Sequence, residues 1–424
     1  MRLIADLHIH SKYARACSKE LTPDNLDLWA RMKGIGLLGT GDFTHPGWFD
    51  DLGVLEETKA GLYQLPASFG LPPEKQVYFM YTAEVASIYK QGEKVRRVHN
   101  LIFASGRHAA QRISEALAKR GCNLKSDGRP IIGLHCDELV RLVKDADEAS
   151  HVVPAHAWTP HFGVFGSLSG FDSLAEAFGE QAKHIWAVET GLSSNPAMNW
   201  RVETLDSITL ISNSDPHSLH RLGREANILE VSVAHLSYAE IIRILKDKNP
   251  TEFVSTVEFF PEEGRYHLDG HADCKFSCEP RETLRLGGIC PRCGKKLLRG
   301  VMSRVFDLAM RDAGYKPIGA VSSQSMVPLE EIIADCLGVG VASKKVRQLY
   351  GQALQASTEF EILLDMPEQD LSALLGRTVA EGVRRVRAGQ VVLQAGYDGM
   401  YGHVHIFTPA DRERFVDSAQ AVLF

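Results

Sequence analysis

The chain has 424 residues, of which 44% are hydrophobic and 24% are charged, and its formal net charge at pH 7 is −6. These values are typical of a soluble globular protein of two or three domains, and the acidic balance argues against a protein that binds nucleic acid over its whole surface. The charged N-terminus is unlike a signal peptide and no apolar run approaches the roughly 20 residues of a membrane helix, so we expect a cytoplasmic protein.

Residues 1 to about 235 alternate apolar strands with amphipathic helices. Helices are predicted directly after Thr22 and at residues 108–119 and 137–143. The predicted strands are 2–8, 35–40, 77–84, 98–104, 151–156, 184–190, 208–213 and 227–232. This alternation predicts an α/β fold with a parallel sheet, and seven or eight units favour a closed or distorted barrel, whose active site would lie at the C-terminal ends of the strands.

The chain beyond residue 235 has a mixed character. A predicted helix at about 237–248 is followed by a linker-like stretch, Glu258–Gly264, and by a cysteine cluster at 274–293. Further helices are predicted near 301–313, 327–336, 343–356 and 376–388, with short strands at the end. We therefore predict a barrel over 1–235, a connecting segment over 236–270, a cysteine ribbon over 271–300 and a small mixed C-terminal module over 301–424.

Potential metal ligands stand where the predicted strands end. His8 and His10 alternate at the end of the first strand, so both side chains point to one face. Later strands end in further imidazoles and carboxylates, and the complete set of candidate ligands is His8, His10, Asp42, Glu84, His99, His156, Asp215 and His217. Imidazoles and carboxylates without a thiolate suit Zn²⁺, Mn²⁺, Mg²⁺ or iron in a hydrolytic role, so we predict a metal centre here.

Several of these positions have a second interpretation. His45 is an alternative ligand to Asp42, which also suits the cap of a helix. His99 is alternatively a core histidine, and Glu189 is a candidate for orienting a ligand rather than for binding an ion. A carboxylate such as Glu84 can bridge two ions, and paired ions stabilise both oxygens of a phosphoryl displacement.

The cysteine ribbon contains two pairs of thiols, Cys274 with Cys278 and Cys290 with Cys293. Four thiolates complete a tetrahedral site and leave no position for a substrate, so we predict a structural zinc ion there. His271 and Asp273 are neighbours that such a site does not need. Residues 274–300 carry seven basic and two acidic residues, which suits either a solvated ribbon surface or contact with an anionic partner.

Two C-terminal stretches suit a nucleic-acid backbone. Lys344, Lys345 and Arg347 begin a predicted helix after a glycine-rich turn, which is a common arrangement for holding a phosphate. The glycine-rich loop after residue 395 carries Tyr397 and Tyr401, which suit stacking on bases or ribose. An ordinary capped helix and an ordinary glycine-rich hairpin are the alternative interpretations.

The order of the ligand motifs resembles that of the PHP (polymerase and histidinol phosphatase) metallophosphoesterase domain. The resemblance rests on His8-x-His10, Glu84, His99, Pro154-Ala155-His156 and Asp215-Pro216-His217. It implies a PHP-type distorted barrel of seven β/α units over residues 1 to about 235, with two or three metal ions at the C-terminal strand ends. Ala14–Ser18 offers no further ligand, so the third ion is left open.

The whole chain resembles the endonuclease Q family. The shared motifs are Asp6–Tyr13, Gly39–Pro46, Ala187–Ser193, Ser212–Ser218, the cysteine ribbon, Val327–Ala334 and Gly396–Gly399. The resemblance implies a DNA-repair endonuclease that hydrolyses the phosphodiester 5′ to uracil, hypoxanthine, xanthine or an abasic site. It also implies that residues 301–424 bind DNA and recognise the lesion, with the altered base flipped into a pocket near Gly163–Asp172.

The predicted mechanism is hydrolysis by a metal-activated hydroxide, which leaves a 3′-hydroxyl and a 5′-phosphate. The predicted ion sites are His8, His10, Glu84 and Asp215 for one ion, and Glu84, His99 and His156 for the other. Catalytic roles are assigned to Asp215, His156 and Glu84, and loss of Asp215 is expected to abolish cleavage. The expected cofactors are two or three divalent ions (Zn, Mn or Mg) in the barrel and one structural Zn in the ribbon.

Two other functions are compatible with the sequence. One is a PHP-family phosphatase of small molecules, which would need only the barrel. The other is a non-catalytic DNA-binding partner of a helicase or polymerase, against which the complete ligand set argues. Damaged DNA is the expected partner, and no membrane contact is expected. A sliding clamp or a helicase is a further candidate partner, although Ser418–Phe424 contains no clear clamp-binding motif.

Overall fold

The computed structural model describes residues 1–72, 75–408 and 410–411. The segment Ser418–Phe424 considered for clamp binding therefore lies outside the described residues, as does the rest of 412–424. Within the described residues, no helix is long and apolar enough to cross a membrane.

Strands and helices alternate along most of the chain. The strands are β1 Arg2–Asp6, β2 Leu37–Gly39, β3 Glu56–Lys59, β4 Leu62–Gln64, β5 Tyr78–Met80, β6 Thr82–Gln91, β7 Lys94–Phe103, β8 Ile131–Ile132, β9 His151–Pro154, β10 Ala187–Glu189, β11 Thr209–Ile211, β12 Ala226–Glu230, β13 Phe253–Glu258, β14 Asp269–His271, β15 Phe276–Cys278, β16 Ser322–Ser325, β17 Val392–Gln394 and β18 His403–His405. The α-helices are α1 Pro23–Lys33, α2 Pro46–Asp51, α3 Arg107–Lys119, α4 Cys136–Ala146, α5 Leu174–Phe178, α6 Pro196–Asn199, α7 Tyr238–Asp247, α8 Pro280–Arg285, α9 Val301–Leu308, α10 Leu329–Leu337, α11 Lys344–Ala356, α12 Glu368–Leu375 and α13 Arg377–Arg387. A π-helix spans Glu361–Asp365.

The largest sheet contains eight strands in the order β16-β13-β12-β1-β2-β5-β4-β3. In its centre β1, β2 and β5 are parallel, whereas β12 runs antiparallel to β1. All residues of β1 except Arg2 are buried. A continuous apolar run forms this strand because both of its faces are covered, as is usual for a strand in a parallel arrangement.

Two smaller sheets continue the succession of strands. One has the order β8-β6-β7-β9, and the other pairs β10 with β11 in parallel. Backbone hydrogen bonds cross the gaps between sheets: Ala157 N donates to Glu189 O, and Asp215 N donates to His8 O. The predicted α/β class is confirmed. The single closed seven-stranded barrel stays a prediction, because the hydrogen bonding of these strands is divided among separate sheets.

The expectation of an all-parallel sheet is wrong for β6 and β7. These two strands of ten residues form an antiparallel hairpin in which Thr82 lies opposite Phe103 and Gln91 opposite Lys94. Gly92 occupies the turn with a φ of +58°, a conformation that glycine adopts without strain. The outer half of the hairpin is partly exposed and highly charged, so it lacks the apolar run by which the other strands were predicted.

The chain beyond residue 235 contributes two strands to the largest sheet. β13, which was not predicted, pairs antiparallel with β12, and β16 pairs parallel with β13. The helices predicted in this part are confirmed as α7, α9, α10, α11 and α13, although α9 ends at Leu308 and not near residue 313, whereas α8 and α12 were not predicted. The domain boundaries stay a prediction.

The hydrophobic core is continuous between the N-terminal strands and the C-terminal helices. One buried cluster includes Ile4 of β1, Trp48 of α2, Ile332 of α10 and Val383 of α13. A second cluster packs the opposite face of β1, including Leu3, against the apolar side of α7. The C-terminal helices are therefore held to the strands by shared apolar burial.

A buried ion pair connects α1 to the C-terminal helices. Lys33 Nζ lies 2.6 Å from Glu359 Oε2, and the Tyr350 hydroxyl donates to the same oxygen at 2.7 Å. Glu359 Oε1 accepts a hydrogen bond from Leu329 N at 2.9 Å. Because the charged side chains are only 4% and 5% exposed, each depends on the other for neutralisation.

Two buried carboxyl groups lie near each other beside β12 and β13. Glu258 Oε2 accepts a hydrogen bond from Thr190 Oγ1 at 3.0 Å, and Glu225 Oε1 accepts one from Phe259 N at 3.2 Å. Burial raises the pKa of Glu258 to about 7, and the Glu189 carboxylate adds to this effect. Burial and the nearby Glu258 also raise the pKa of Glu225 well above its usual value. The folded chain therefore retains protons that the unfolded chain releases.

Replacing Lys33 by Met should lower the free energy of unfolding by about 3 kcal/mol, because Glu359 then stays buried without a counter-charge. Urea-induced unfolding followed by tryptophan fluorescence measures this loss. Arg2→Met is the matched control: Arg2 Nη1 lies 2.6 Å from Asp365 Oδ2, but both side chains are partly exposed. The control should lose less than about 1 kcal/mol, and equal losses in the two variants would contradict the prediction.

Replacing Glu258 by Gln should make the free energy of unfolding less dependent on pH. The contribution of Glu258 is complete below its unfolded pKa of 4.5 and is lost as the pH rises through about 7, because its ionised form is then buried. The free energy of unfolding of the variant should exceed that of the natural chain by about 2–3 kcal/mol at about pH 8, and by little at about pH 5. Unfolding measured across this range tests the difference, with Gln at the exposed Glu56 as control. A difference in the free energy of unfolding that does not change with pH would contradict this prediction.

Candidate metal centre

The candidate ligands meet at one end of the strands. His8 and His10 follow β1, His156 follows β9, and Asp215 follows β11. Glu84 lies near the start of the β6–β7 hairpin, to which the other strand ends are adjacent. The apolar strands thus bring residues that are distant in sequence to a common site, as expected where strand ends converge.

Three of the candidate ligands have backbone conformations that are unusual for residues with a side chain. Asp42, His156 and Asp215 have φ values of +45°, +30° and +44°. The left-handed region costs such residues about 1–2 kcal/mol, and residues held there are concentrated at functional sites. Each of the three follows a strand closely, so the strained backbone redirects its side chain immediately beyond the strand end.

Glu84 is the centre of the cluster, and its side chain is completely buried. Its Oε1 lies 2.6 Å from His99 Nδ1 and 3.0 Å from His156 Nε2. Its Oε2 lies 3.4 Å from His10 Nε2 and 3.6 Å from His8 Nε2. Each oxygen of Glu84 thus faces a different pair of histidines, which is the arrangement of a carboxylate that can bridge two ions.

The ligand atoms form three overlapping groups, each with all atoms within 4.8 Å of one another. The groups are His8 with His10 and Glu84, Glu84 with His99 and His156, and His10 with Asp215 and His217. All predicted ligands except Asp42 are therefore brought together. The alternative ligand His45 is not in these groups either, because its Nδ1 accepts a hydrogen bond from Trp48 N at 3.3 Å.

Asp42 contacts a histidine on the side that faces away from the ligand cluster, as Glu189 does, and was predicted instead as a ligand of the ion. Asp42 Oδ1 lies 3.0 Å from His10 Nδ1, and both oxygens of Glu189 lie 3.0 Å from His8 Nδ1. Each carboxylate engages the Nδ1 of its histidine and leaves Nε2 directed into the cluster. Such contacts fix the orientation and tautomer of a metal-binding imidazole.

Attraction between opposite charges determines the pKa values of His8 and Asp215, although burial disfavours the charged form of both. Burial disfavours the charged form of His8, but Glu189, Asp215 and Glu84 raise its pKa well above the usual value. Burial likewise opposes ionisation of Asp215, but His8 and His10 hold the pKa of its carboxyl far below the usual range. The carboxylate of Asp215 is therefore held as an anion, and its charge attracts cations to the site.

The unpaired atoms in the cluster fit divalent ions. His8 Nε2, His10 Nε2 and Asp215 Oδ1 are buried and none makes a hydrogen bond of good geometry in the described part of the chain, although Asp215 Oδ1 lies 3.0 Å from His10 Nε2. Buried polar atoms normally make such a bond, and these three converge on one another. Imidazole nitrogens and carboxylate oxygens are together suited to Zn²⁺, Mn²⁺ or Mg²⁺, so the donor set fits a site for divalent metal ions.

Arg129 also belongs to the cluster, although sequence reasoning missed it. Its Nη1 lies 3.3 Å from Glu84 Oε2, and its side chain is 25% exposed. The residue precedes the short strand β8 and follows a polar loop that has neither hydrophobic periodicity nor a ligand motif. No signal in the sequence distinguished this arginine from those on the surface.

A compact loop covers one side of the centre. The ring of Phe162 stacks on the imidazole of His99 with the ring centroids 4.3 Å apart, and Phe162 O accepts a hydrogen bond from His99 N. Arg304 of α9 donates hydrogen bonds to the carbonyl oxygens of Phe165 and Phe171. The helix that follows the cysteine ribbon therefore holds the loop that shields His99.

Two crystal structures are similar to this chain over nearly its whole length. The lesion-specific endonuclease PfuEndoQ from Pyrococcus furiosus is 30% identical, with a TM-score of 0.83, over 96% of this chain and 95% of that one. Endonuclease Q in complex with a 27-mer duplex substrate that carries an abasic lesion at the active site is 30% identical, with a TM-score of 0.83, over 97% and 98%. This chain belongs to the endonuclease Q family.

Two uncharacterized proteins are also similar to this endonuclease Q family member. YqxK of Bacillus subtilis is 28% identical over 415 residues, which are 95% of this chain and 99% of YqxK. MJ0043 of Methanocaldococcus jannaschii is 27% identical over 288 residues, which are 65% of this chain but only 35% of MJ0043, so this chain corresponds to a minor part of that protein. The family model of the MJ0043 C-terminal domain matches residues 328–390.

In this endonuclease Q family member, the cysteine ribbon brings together three thiols and an imidazole. The group whose ligand atoms lie within 4.8 Å of one another is His271, Cys274, Cys290 and Cys293. Cys278 is not in this group, and its Sγ lies 3.3 Å from Thr283 Oγ1. His271 therefore lies with three of the predicted thiols, and the four-cysteine zinc site stays a prediction.

The basic residues predicted to contact DNA lie on the surface. Lys344, Lys345 and Arg347 are exposed in the first turn of α11. Ser343 caps this helix, since its Oγ accepts a hydrogen bond from Val346 N at 3.3 Å. The capped helix expected as the alternative is therefore present, and its exposed cations leave phosphate binding as a prediction.

The two tyrosines of the glycine-rich loop differ in their surroundings. Tyr401 is exposed, and the guanidinium of Arg265 lies 5.1 Å from the centre of its ring. Tyr397 instead packs directly on Gly270, where any Cβ would collide with its ring. Tyr397 therefore supports the loop against β14, whereas the exposure of Tyr401 leaves stacking on a base as a prediction.

Cobalt substitution should distinguish the ligands of the ribbon, because the thiolate-to-cobalt charge-transfer band arises only where a cysteine binds the ion. Cobalt bound by the histidines and carboxylates of the other centre does not contribute to this band. Cys293→Ala should abolish or strongly reduce this absorption, His271→Gln should change it, and Cys278→Ala should leave it as in the natural chain. The ultraviolet–visible spectrum of cobalt-loaded protein is the measurement. Absorption lost with Cys278→Ala but unchanged with His271→Gln would instead favour the four-cysteine site.

Proposed function

We propose that this protein is a metal-dependent DNA-repair endonuclease that hydrolyses the phosphodiester 5′ to deaminated bases (uracil, hypoxanthine or xanthine) or abasic sites. The observation that carries the proposal is the position of Glu84, whose oxygens face two separate histidine pairs. Paired ions around one carboxylate suit phosphodiester hydrolysis. The substrate class follows from the family, since one relative is named lesion-specific and another holds a duplex with an abasic lesion.

The ligand groups suggest how the ions are held. We assign His8, His10 and Glu84 to one ion and Glu84, His99 and His156 to a second, and Asp215 with His217 is left for a third where it binds, because the one free nitrogen of His10 serves the first ion. Divalent ions in these places would neutralise phosphate charge and lower the pKa of bound water towards neutrality. The P–O3′ bond breaks as the water oxygen joins phosphorus, which leaves a 3′-hydroxyl and a 5′-phosphate.

Asp215 is assigned to the attacking water. Its Oδ1 lies 3.0 Å from His10 Nε2, and its side chain is 22% exposed, whereas that of Glu84 is fully buried. A substrate can therefore reach Asp215, and its depressed pKa keeps it ionised to accept a hydrogen bond from water. Asp42 and Glu189 complete the arrangement through their contacts with the two histidines after β1.

Lesion recognition is assigned to surfaces around this centre. Rotation of a nucleotide out of the duplex costs least where the base is mispaired or missing, which favours deaminated and abasic sites. The loop Gly163–Asp172 lies next to Phe162 above His99 and is our candidate for one wall of the base pocket. Tyr401, Lys344 and Lys345 are candidate contacts for the rest of the duplex.

The proposal also assigns a role to each of the other parts of the chain. A structural zinc ion in the ribbon would fix α9 and thereby the loop over His99. Residues 1–235 would form the PHP-type barrel of seven units, residues 236–270 the connection, residues 271–300 the ribbon, and residues 301–424 the module that binds DNA.

Duplex cleavage tests the proposed function. Labelled duplexes with uracil, hypoxanthine, xanthine, an abasic site or no lesion are incubated with the protein and Mg²⁺ or Mn²⁺. Cleavage should occur only in lesion strands, on the 5′ side, and should stop when the divalent ions are chelated. Asp215→Ala should reduce the rate at least about 100-fold, as removal of a group that orients a proton transfer does.

Asp24→Ala, an exposed residue in the first turn of α1, is the matched control and should cleave as the natural chain does. Lesion duplexes left intact, together with turnover of p-nitrophenyl phosphate, would replace the proposal with a phosphatase of small molecules. Lesion binding without any cleavage would indicate a DNA-binding partner protein instead.

A further inference from the structure

Arg129 is placed at the centre by a loop that is anchored on both sides. Gly128 N donates to Tyr13 O at 3.2 Å, and Ala86 N of β6 donates to Pro130 O at 3.0 Å. Asp127 Oδ1 accepts hydrogen bonds from Arg129 N at 3.2 Å and from the backbone of the loop after His10. These bonds fix the backbone of Arg129 against the metal-ligand loop before any substrate arrives.

The absence of a side chain at residue 128 allows this close approach. A Cβ on Gly128 would collide with Asp42 Oδ2, the carboxylate oxygen that accepts hydrogen bonds from Ser11. The backbone that carries Arg129 therefore touches the residue that orients His10. A surface arginine that merely balanced charge would not require such contact.

The guanidinium of Arg129 shares an oxygen with the ligand groups. Its Nη1 contacts Glu84 Oε2, which is also the oxygen nearest to His8 Nε2 and His10 Nε2. In the described part of the chain, this is the one hydrogen bond that its side chain makes. An ion held by His8, His10 and Glu84 would occupy the same oxygen, so Arg129 would then need another anion.

The anion that fits is the phosphate group of the substrate. A guanidinium is permanently charged, and its planar set of donors matches two oxygens of a phosphate. Arg129 is partly exposed at the edge of the ligand cluster, where a phosphodiester could reach it. Preorganised donors of this kind stabilise charge that develops in a transition state.

We propose that Arg129 binds the non-bridging oxygens of the scissile phosphate and stabilises their negative charge during hydrolysis, an inference that rests on the proposed function. Arg129 neither gives nor takes a proton, because its guanidinium remains charged throughout. Its contact with Glu84 is then the arrangement before substrate binds, and phosphate replaces Glu84 as its partner. Arg129 is thus a catalytic residue that the ligand motifs do not include.

The test compares R129A, R129Q and R129K with the natural chain on an abasic duplex and with inorganic phosphate as a separate probe. R129A and R129Q should lower kcat about 100-fold or more, with R129K between them and the natural chain. Added guanidinium should restore part of the R129A rate. Calorimetric titration of Mn²⁺-loaded protein with inorganic phosphate should show an affinity at least about tenfold lower in R129A.

R112A is the matched control, because Arg112 is an exposed arginine that pairs with Asp147. It should retain kcat and phosphate affinity. Metal content and the thermal midpoint are measured for every variant. Unchanged kcat and phosphate affinity in R129A would overturn the proposal, as would a rate loss explained entirely by lost metal or lost folding in all three variants.

The phosphate titration keeps this proposal separate from the proposed function. If the natural chain cleaves no lesion duplex, the endonuclease proposal fails by itself. Arg129-dependent phosphate binding would in that case still support a phosphate-binding arginine at the centre. Phosphate affinity that is equal in R129A and the natural chain would refute the role of Arg129 whatever the duplex results are.

Discussion

The burial of the Glu84 carboxylate is the constraint on which the site depends. A charge without solvent is tolerated only where opposite charges and hydrogen bonds replace the lost water. Four imidazoles and one guanidinium surround Glu84, and they come from strand ends, from the interior of β7 and from a loop, all in the first half of the chain. The positions of β1, β7 and β9 are therefore coupled through a single side chain, and any movement of one strand leaves part of this charge uncompensated.

Two features of the scaffold hold the side chains around Glu84 in place: left-handed backbone beyond the strand ends, and carboxylates that contact the outer nitrogens of the histidines. Asp42 and Asp215 adopt left-handed conformations close behind their strands, and the surrounding apolar strands provide the stability that offsets this strain. Asp42 and Glu189 then restrict the histidines from behind. The result is a set of nitrogen and oxygen donors that is arranged before an ion binds, which limits the reorganisation that binding would require.

The sequence predicted those parts of the site and fold that follow from the periodicity of its hydrophobic residues. His8 and His10 were identified because alternate residues of a strand share a face, and the α/β order followed from alternating apolar runs. Arg129 was not predictable, because it reaches the site from an irregular loop. The proximity of His271 to the thiols of the ribbon has no signal in the spacing of the cysteines, and the charged outer half of the β6–β7 hairpin concealed its pairing.

The pairing of β16 with β13 has a consequence for how the molecule can be divided. β16 belongs to the C-terminal part in sequence, yet it forms one edge of the largest sheet, and its residues Ser322–Ser325 are polar. A polar edge strand discourages pairing with other molecules. A chain that ended after the ribbon would present the unpaired backbone of β13 instead, and would be prone to self-association. The N-terminal strands thus depend on the C-terminal part of the chain to complete their largest sheet.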